Sequence, residues 1–435
     1  MTRACCTFVP PYLLRRLVDT DPAYAGGLSL DDRHRSHRAA VAPATPPEPG
    51  RAAAWTVHDA RGGTDLPGTP RRAAGDPPTG DLAVDEASEG TAAALALFEE
   101  AYGRASYDGR GAPVSVTVHY GRGYANAFWD GTQLVFGDGD GRVFERFTKP
   151  VDVLGHELAH AVVEHTAGLV YEGQSGALNE SVADAFAACL KQRLLGQTAA
   201  EGDWLVGAGL FRPGVAARGL RDMAAPGTAY DDPALGRDPQ PAHLDAYVET
   251  TDDHGGVHVN SGIPNRAFHL AALAVGGTSE AGAGRIWYDA LTGGDVGPRS
   301  DFASFAAATV LAAGPHADAV RDAWQEVGVV PGATGVPGAR AAAPAPGLRV
   351  VVRRTGGFAG LVVEAAVDLD ADRDDPRVPE LRSLVGRVDL AGVGQVSAVP
   401  DAFVYDLDVC GERAVVPEPR LTPDLRRIVE LVLGD

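Results

Sequence analysis

Eleven residues, Val151-Asp152-Val153-Leu154-Gly155-His156-Glu157-Leu158-Ala159-His160-Ala161, read as one helix carrying the pattern H-E-x-x-H. Residues four apart on a helix share a face, one turn above the other. His156 and His160 therefore offer two imidazoles to one point, and both nitrogens can reach a zinc ion at about 2.0–2.1 Å. Glu157 points beside such an ion and can take a proton from metal-bound water. The pentapeptide also fits an exposed helix with two solvated histidines, so residues elsewhere must decide.

A catalytic zinc of this kind needs a third protein ligand. The longer pattern with a third histidine six residues on is absent, because position 166 is Thr and position 163 is Val. His165 falls in the wrong register and reads as a surface or structural residue. Twenty residues after His160, Asn179-Glu180-Ser181-Val182-Ala183-Asp184 lies in a second helical run. Glu180 and Asp184 share a face. One carboxylate completes a His₂Glu set with an open position, and the other can accept the free N–H of a ligand histidine. The same pair also fits a charge pattern favoured by the helix dipole. A third stretch, Asp252-Asp253-His254-Gly255-Gly256-Val257-His258, sets an imidazole five residues after a carboxylate across a glycine turn. That suits a protonated His that stabilises an oxyanion, although a loop His in an acidic turn fits as well.

The 435 residues allow two to four domains, and the net charge of −20 argues against nucleic-acid or anionic-membrane partners. No apolar run approaches a membrane span of about 18 residues. Met1 to Pro11 lacks a basic start followed by a long apolar stretch. The expectation is a cytoplasmic protein, or one exported without a recognisable signal peptide. Cys5, Cys6, Cys189 and Cys410 are scattered and read as free thiols rather than a disulfide scaffold.

Along the chain, residues 1–38 form a small unit in which Pro10-Pro11 leads into a short amphipathic helix, and 39–54 is an Ala/Pro-rich linker. Residues 55–150 alternate as strands around one helix at 88–105. Residues 151–330 read as mostly helical, with runs at 151–167, 178–195, 202–211, 257–275, 281–292, 301–313 and 316–327, and a long loop at 212–256. A second linker covers 331–346. Residues 347–435 read as a small α+β domain: a hairpin with a glycine-rich tip, then helices near 376–386 and 422–433.

The H-E-x-x-H run, Asn179-Glu180-x-x-x-Asp184, Asn126-Ala127-Phe128-Trp129-Asp130-Gly131 and Gly255-Gly256-Val257-His258-Val259-Asn260-Ser261-Gly262 together resemble the thermolysin family of zinc endopeptidases. That family supplies the His₂Glu example of catalytic zinc. The resemblance covers about 55–330. It implies an α+β fold of two lobes, a β-rich N-lobe and a helical C-lobe, with the active site between them. His156, His160 and Glu180 would bind Zn²⁺, Glu157 would be the general base, and Asp184 would orient His156. Tyr171 and His258, the latter held by Asp253, would stabilise the oxyanion. Asn126 and the Ala127 carbonyl would grip the peptide backbone, with Arg221 on the leaving side. Phe144, Phe147, Val153, Val206, Leu210 and Leu220 would line an apolar pocket. Each of those six also fits a pure core role. The implied substrate is a peptide or protein cut before a bulky hydrophobic residue.

Pro10-Pro11-Tyr12-Leu13-Leu14 resembles the propeptide of the protealysin-like branch, which implies a latent precursor clipped within 39–54. A zinc-ligating role for Cys5 or Cys6 is the lesser alternative to a free thiol. Of the family's double calcium site only Asp152 matches. Lys191, Leu205, Ala208 and Gly209 occupy other ligand positions, so that site is expected to be missing. Arg354-Thr355-Gly356-Gly357-Phe358-Ala359-Gly360 resembles emfourin, an inhibitor of protealysin-like enzymes. The N-terminal segment and the C-terminal domain are thus the expected intramolecular partners, with a substrate-binding or accessory module as the alternative for the latter. A catalytically silent regulatory protein on a peptidase fold is the other overall reading; the full set Glu157, Tyr171 and His258 speaks against it. A zinc hydrolase acting on something other than peptides is a third, against which Asn126 and Arg221 speak.

Overall fold

A computed structural model of the chain describes residues 7–21, 24–30, 55–332, 349–355, 363–369, 375, 377–385, 403–409 and 412–433. The chain divides into two compact units, Met1–Gly338 and Ala339–Asp435. The linker 39–54, residues 333–346 of the second linker, Cys5, Cys6, Cys410 and the 356–360 tip lie outside the described residues.

In the first unit, helix α1 (Pro11–Thr20) begins on the two prolines, which set φ for the first turn and give up donors that a helix start cannot use. Its buried face is Leu13, Leu14 and Leu17. Strands β1 (Trp55–Asp59), β2 (Thr69–Ala73), β3 (Val114–Val118), β4 (Ala127–Trp129) and β5 (Gln133–Phe136) form one sheet in the order β2-β1-β3-β5-β4. The middle three strands are parallel, and the two edge strands are antiparallel to them. Helix α2 (Leu82–Tyr102) starts six residues before the expected 88, where Asp81 accepts the Ala83 and Val84 amides. It packs on β1 and on the H-E-x-x-H helix.

Seven helices build the second lobe: α3 (Val151–Glu164), α4 (Gly173–Leu195), α5 (Asp253–Asn260), α6 (Gly262–Val275), α7 (Ala283–Thr292), α8 (Phe302–Ala312) and α9 (Ala317–Glu326). The helix expected at 202–211 is absent. Leu205–Val206 instead pairs with Arg221–Asp222 as a two-residue ladder, and Gly207 (φ 71°) and Gly209 (φ 85°) take left-handed conformations that break any helix there. α3 and α4 approach closely because position 155 is Gly: a methyl there would stand 2.9 Å from Leu190 Cδ2.

The C-terminal unit has β6 (Arg349–Thr355), β7 (Val363–Asp368), α10 (Val378–Val385), β8 (Val404–Val409), β9 (Glu412–Pro417) and α11 (Pro423–Leu433). Its antiparallel sheet runs β7-β6-β8-β9. Strands β8 and β9 go beyond the expected hairpin and two helices. The signal for β8 was present, because Tyr405, Leu407 and Val409 alternate with Asp406 and Asp408 and turn inward.

Candidate active site

α3 carries His156 and His160 one turn apart, and α4 sets Glu180 across from them. His156 Nε2 and His160 Nε2 lie 2.9 Å apart, and the two reach Glu180 at 3.5 and 3.6 Å. Those separations match the edge of about 3.3 Å in a tetrahedron whose bonds are about 2.0–2.1 Å. The other ring nitrogens decide the tautomers. His156 Nδ1 donates to Asp184 Oδ1 at 2.9 Å, and His160 Nδ1 donates to Asn179 Oδ1 at 2.8 Å. Each Nε2 then faces the other in a buried site, beside a carboxylate. Three ligand atoms thus converge on one buried point, and the residues fit a zinc ion. Burial would push the Glu180 carboxyl up, but His258, His160, His156 and Arg221 hold it at about 2.

Asp184 is held from three sides. Besides His156 it accepts Arg221 Nε at 2.7 Å, Arg221 Nη2 at 2.8 Å and Asn265 Nδ2 at 2.8 Å. Burial opposes its charge, yet Arg221 and His156 keep the carboxyl well below the usual range. Arg221 therefore links the Phe8 carbonyl to the carboxylate that accepts from His156. In the sequence Asn179 is legible only as part of a motif. Its Oδ1 orients His160 while its Nδ2 donates to Leu169 O at 3.0 Å. Nothing in the spacing of Asn265 announced its role.

Glu157 sits between the histidines, wholly buried. Residues 253–256 take four successive left-handed conformations, with φ of 52°, 53°, 85° and 71°. Two of the four are not glycine, a strained turn that brings Asp253 back under His258. His258 Nδ1 lies 2.7 Å from Asp253 Oδ1, and Nε2 lies 3.1 Å from the Tyr171 hydroxyl. Tyr171 in turn donates to Glu180 Oε1 at 2.5 Å. Burial lowers the His258 pKa, and Asp253 and Glu180 more than reverse this, so the ring favours its proton. Gln240 Nε2 fixes the His258 carbonyl at 2.8 Å, a support that sequence reasoning did not find.

The strip formed by Asn126, Ala127 and Arg221 is occupied by residues 7–9 of the same chain. Phe8 N donates to Ala127 O at 2.9 Å, and Asn126 exchanges hydrogen bonds with Val9 N and O at 2.8 and 3.2 Å. Arg221 Nη1 reaches Phe8 O at 3.2 Å, and Thr7 O lies 3.0 Å from His258 Nε2. The Phe8 ring is edge-on to His156 at 5.2 Å and lies under the Arg221 guanidinium at 4.8 Å. Phe144, Phe147, Val153, Val206, Leu210 and Leu220 are all buried in the same apolar cluster as Phe8. Gly207 borders the Phe8 ring: a methyl there would be in ordinary contact, 3.4 Å from Leu220 Cβ and Phe8 Cε1, and the left-handed φ of 71° is what favours glycine. Gly207 N also donates to Asp152 Oδ2 at 3.1 Å. That carboxylate is 3.2 Å from Lys191 Nζ, which lies 3.2 Å from Asp203 Oδ2 and donates to Leu205 O. His165 is apart from the cluster, bonded to Ala161 O and edge-on to Tyr107.

No helix among the described residues is long and apolar enough to cross a membrane. Residues 74–164 match the thermolysin metallopeptidase catalytic domain, 167–329 its alpha-helical domain, and 352–433 emfourin. An extracellular metalloprotease of Pectobacterium carotovorum subsp. carotovorum is 47% identical over 339 residues, covering 75% of this chain and 97% of that protein. Thermolysin of Alicyclobacillus acidocaldarius subsp. acidocaldarius is 40% identical over 246 residues, 53% of this chain and 42% of that protein. The solved precursor of protealysin, a metalloproteinase from Serratia proteamaculans, superposes with a TM-score of 0.67 at 45% identity, over 75% of this chain and all of that one. The site geometry and these likenesses agree: the chain belongs to the thermolysin family of metallopeptidases, and carries an emfourin domain at its C-terminal end.

Proposed function

We propose that this chain is the latent form of a zinc endopeptidase that cuts before bulky hydrophobic residues, with its own N-terminal segment filling the cleft. The observation that carries this reading is the ring of donors around one point: His156, His160 and Glu180, with Glu157 on one side and the Tyr171–His258 pair on the other. Bound zinc supplies a Lewis acid that polarises the carbonyl and acidifies water. Glu157 takes a proton from the attacking water and delivers it to the leaving amine. His258, kept protonated by Asp253, and Tyr171 donate to the oxygen that gains charge. Asn126, Ala127 and Arg221 hold the substrate backbone, and the Phe8 ring marks the pocket and its taste for large apolar side chains.

Phe8, Val9, Leu13, Leu14 and Leu17 bury their side chains only as part of the peptidase core, which supports an occluding role for 1–38, a clip within 39–54, and a peptidase of 55–330. The Lys191 ammonium between Asp152 and Asp203 supports the reading that the double calcium site is missing. The domain at 347–435 then acts as an inhibitor on a tether, at an effective concentration on the order of mM. The extracellular name of the Pectobacterium relative favours export over a cytoplasmic site.

The test is hydrolysis of casein or a dipeptide amide by the clipped chain, before and after zinc chelation. Glu157→Gln should lower the rate by roughly 10²–10⁴-fold with zinc still bound. A Glu157→Gln protein of full activity would sink the reading.

A further inference from the structure

The N-terminal segment does more than fill space. Each backbone group from the Thr7 carbonyl to the Val9 carbonyl meets one group of the cleft. The order of these contacts carries direction. The pocket receives the side chain of Phe8, and the carbonyl just before Phe8 rests on His258 Nε2, the donor beside the Tyr171 hydroxyl. The carbonyl just after Phe8 rests on Arg221. A peptide cut before a large apolar residue would present its groups in this order and this polarity. Nothing in mere occlusion requires it, because a chain running the other way would cover the cleft as well.

We propose that the enzyme hydrolyses the Thr7–Phe8 bond of its own N-terminal segment, within one molecule. The proposal rests on the peptidase reading above. Water oxygen joins the Thr7 carbonyl carbon while His258 donates to the carbonyl oxygen, joined by Tyr171 once its hydroxyl turns from Glu180. Glu157 relays the water protons to the Phe8 nitrogen, and the carbon–nitrogen bond breaks. The products are a carboxylate on Thr7 and an ammonium on Phe8, so atoms and charge balance with one water consumed.

The register also says what the cut does not achieve. Phe8 and everything after it stay anchored by Asn126, Arg221 and the buried face of Leu13, Leu14 and Leu17. Peptide 1–7 leaves, and the cleft stays filled by a product. Opening the cleft takes a second event further along the chain.

The test follows the intact mass of the full chain, purified under chelation and then given zinc, with zinc content measured on the same sample. The expected result is loss of residues 1–7 with a half-time that does not change over a hundredfold dilution. Glu157→Gln should bind zinc and keep residues 1–7. Phe8→Asp should slow loss of 1–7 at least tenfold. A zinc-loaded wild-type chain that keeps residues 1–7, or loses them at a rate proportional to concentration, overturns the proposal. The peptidase reading is scored apart, by hydrolysis of a fluorogenic peptide with Phe after the scissile bond, using chain opened by limited trypsin treatment. Hydrolysis of that peptide together with an intact Thr7–Phe8 bond leaves the enzyme standing and the self-cut refuted. No hydrolysis of the peptide, with zinc bound, removes both.

Discussion

The peptidase unit buries Asp152, Glu157, Glu180, Asp184, Arg221 and His258, whereas the described residues of the C-terminal domain bury apolar side chains alone, among them Val350, Val352, Leu381, Leu407 and Ile428. Taking one charge out of water costs several kcal/mol unless a partner meets it. In the peptidase unit nearly every such group is met by another element: Arg221 meets Asp184 across 37 residues of chain, and His258 meets Tyr171 across 87. The difference teaches where each unit's specificity comes from. The C-terminal core needs only pattern and volume. The peptidase core needs particular mates.

The contrast breaks most visibly at Lys191. Its ammonium is the mate of Asp152, whose carboxyl burial pushes up and Lys191 pulls only part of the way back. Lys191→Met should cost about 3–5 kcal/mol, the usual penalty for stranding one buried charge. Urea unfolding of the zinc-loaded protein measures it. Adding Asp152→Asn to Lys191→Met should recover most of the loss, because the stranded charge is then gone. Additive losses in the double variant would mean that Lys191 works through packing, and that the contrast in mates is wrong at its strongest point. Added calcium should restore nothing in either variant.

How much of this was legible in the sequence follows the same divide. The candidate zinc site rests on helical spacings of four, which short-range physics sets, so His156 and His160, and Glu180 and Asp184, could be paired from their neighbours, with the resemblance naming Glu180 as the ligand. Their mates could not. Asn265 reaches Asp184 from 81 residues away, and Gly207 borders the Phe8 ring in a turn where the apolar pattern predicts a helix. The run Trp204-Leu205-Val206 carries a helix-like apolar content, yet Gly207 and Gly209 settle its conformation. The docking of Phe8 against Ala127 spans even more chain, and only resemblance, not spacing, pointed to the cleft. In the C-terminal domain, where pattern suffices, the missed strand β8 had a readable alternation.

A smaller effect tests a half-buried charge. His119 lies between Asp138 at 2.9 Å and Asp81 at 3.1 Å, and the hydrogen bond to Asp138 leads in raising its pKa to about 9. In the unfolded chain the value is about 6.5. The folded state thus holds the proton more tightly. That stabilisation is complete below about 6.5 and is lost as pH rises through about 9. Between pH 6 and pH 10 the wild type should lose about 1–3 kcal/mol more than His119→Asn. Asn suits the left-handed backbone at this position, where φ is 54°. Urea midpoints across pH read the difference, and parallel curves for the two proteins would show that the aspartates do not hold a charged ring.

The smallest effect on stability is expected from removing 347–435. The two apolar cores are separate clusters, so each unit should unfold in its own transition. Calorimetry of chain 1–346 should leave the peptidase transition within about 0.5 kcal/mol of its place in the full chain. Activity is another matter, and the order of events decides it. While Thr7, Phe8 and Val9 occupy the cleft, a second inhibitor has nothing to bind, so deletion should not raise hydrolysis by the unclipped chain. Once the N-terminal segment is gone, the same deletion should raise hydrolysis severalfold if the domain inhibits on its tether. Equal rates from the clipped full chain and clipped 1–346, at equal zinc content, would reassign 347–435 to an accessory role. A large shift of the peptidase transition would instead join the two cores and undo the contrast between them.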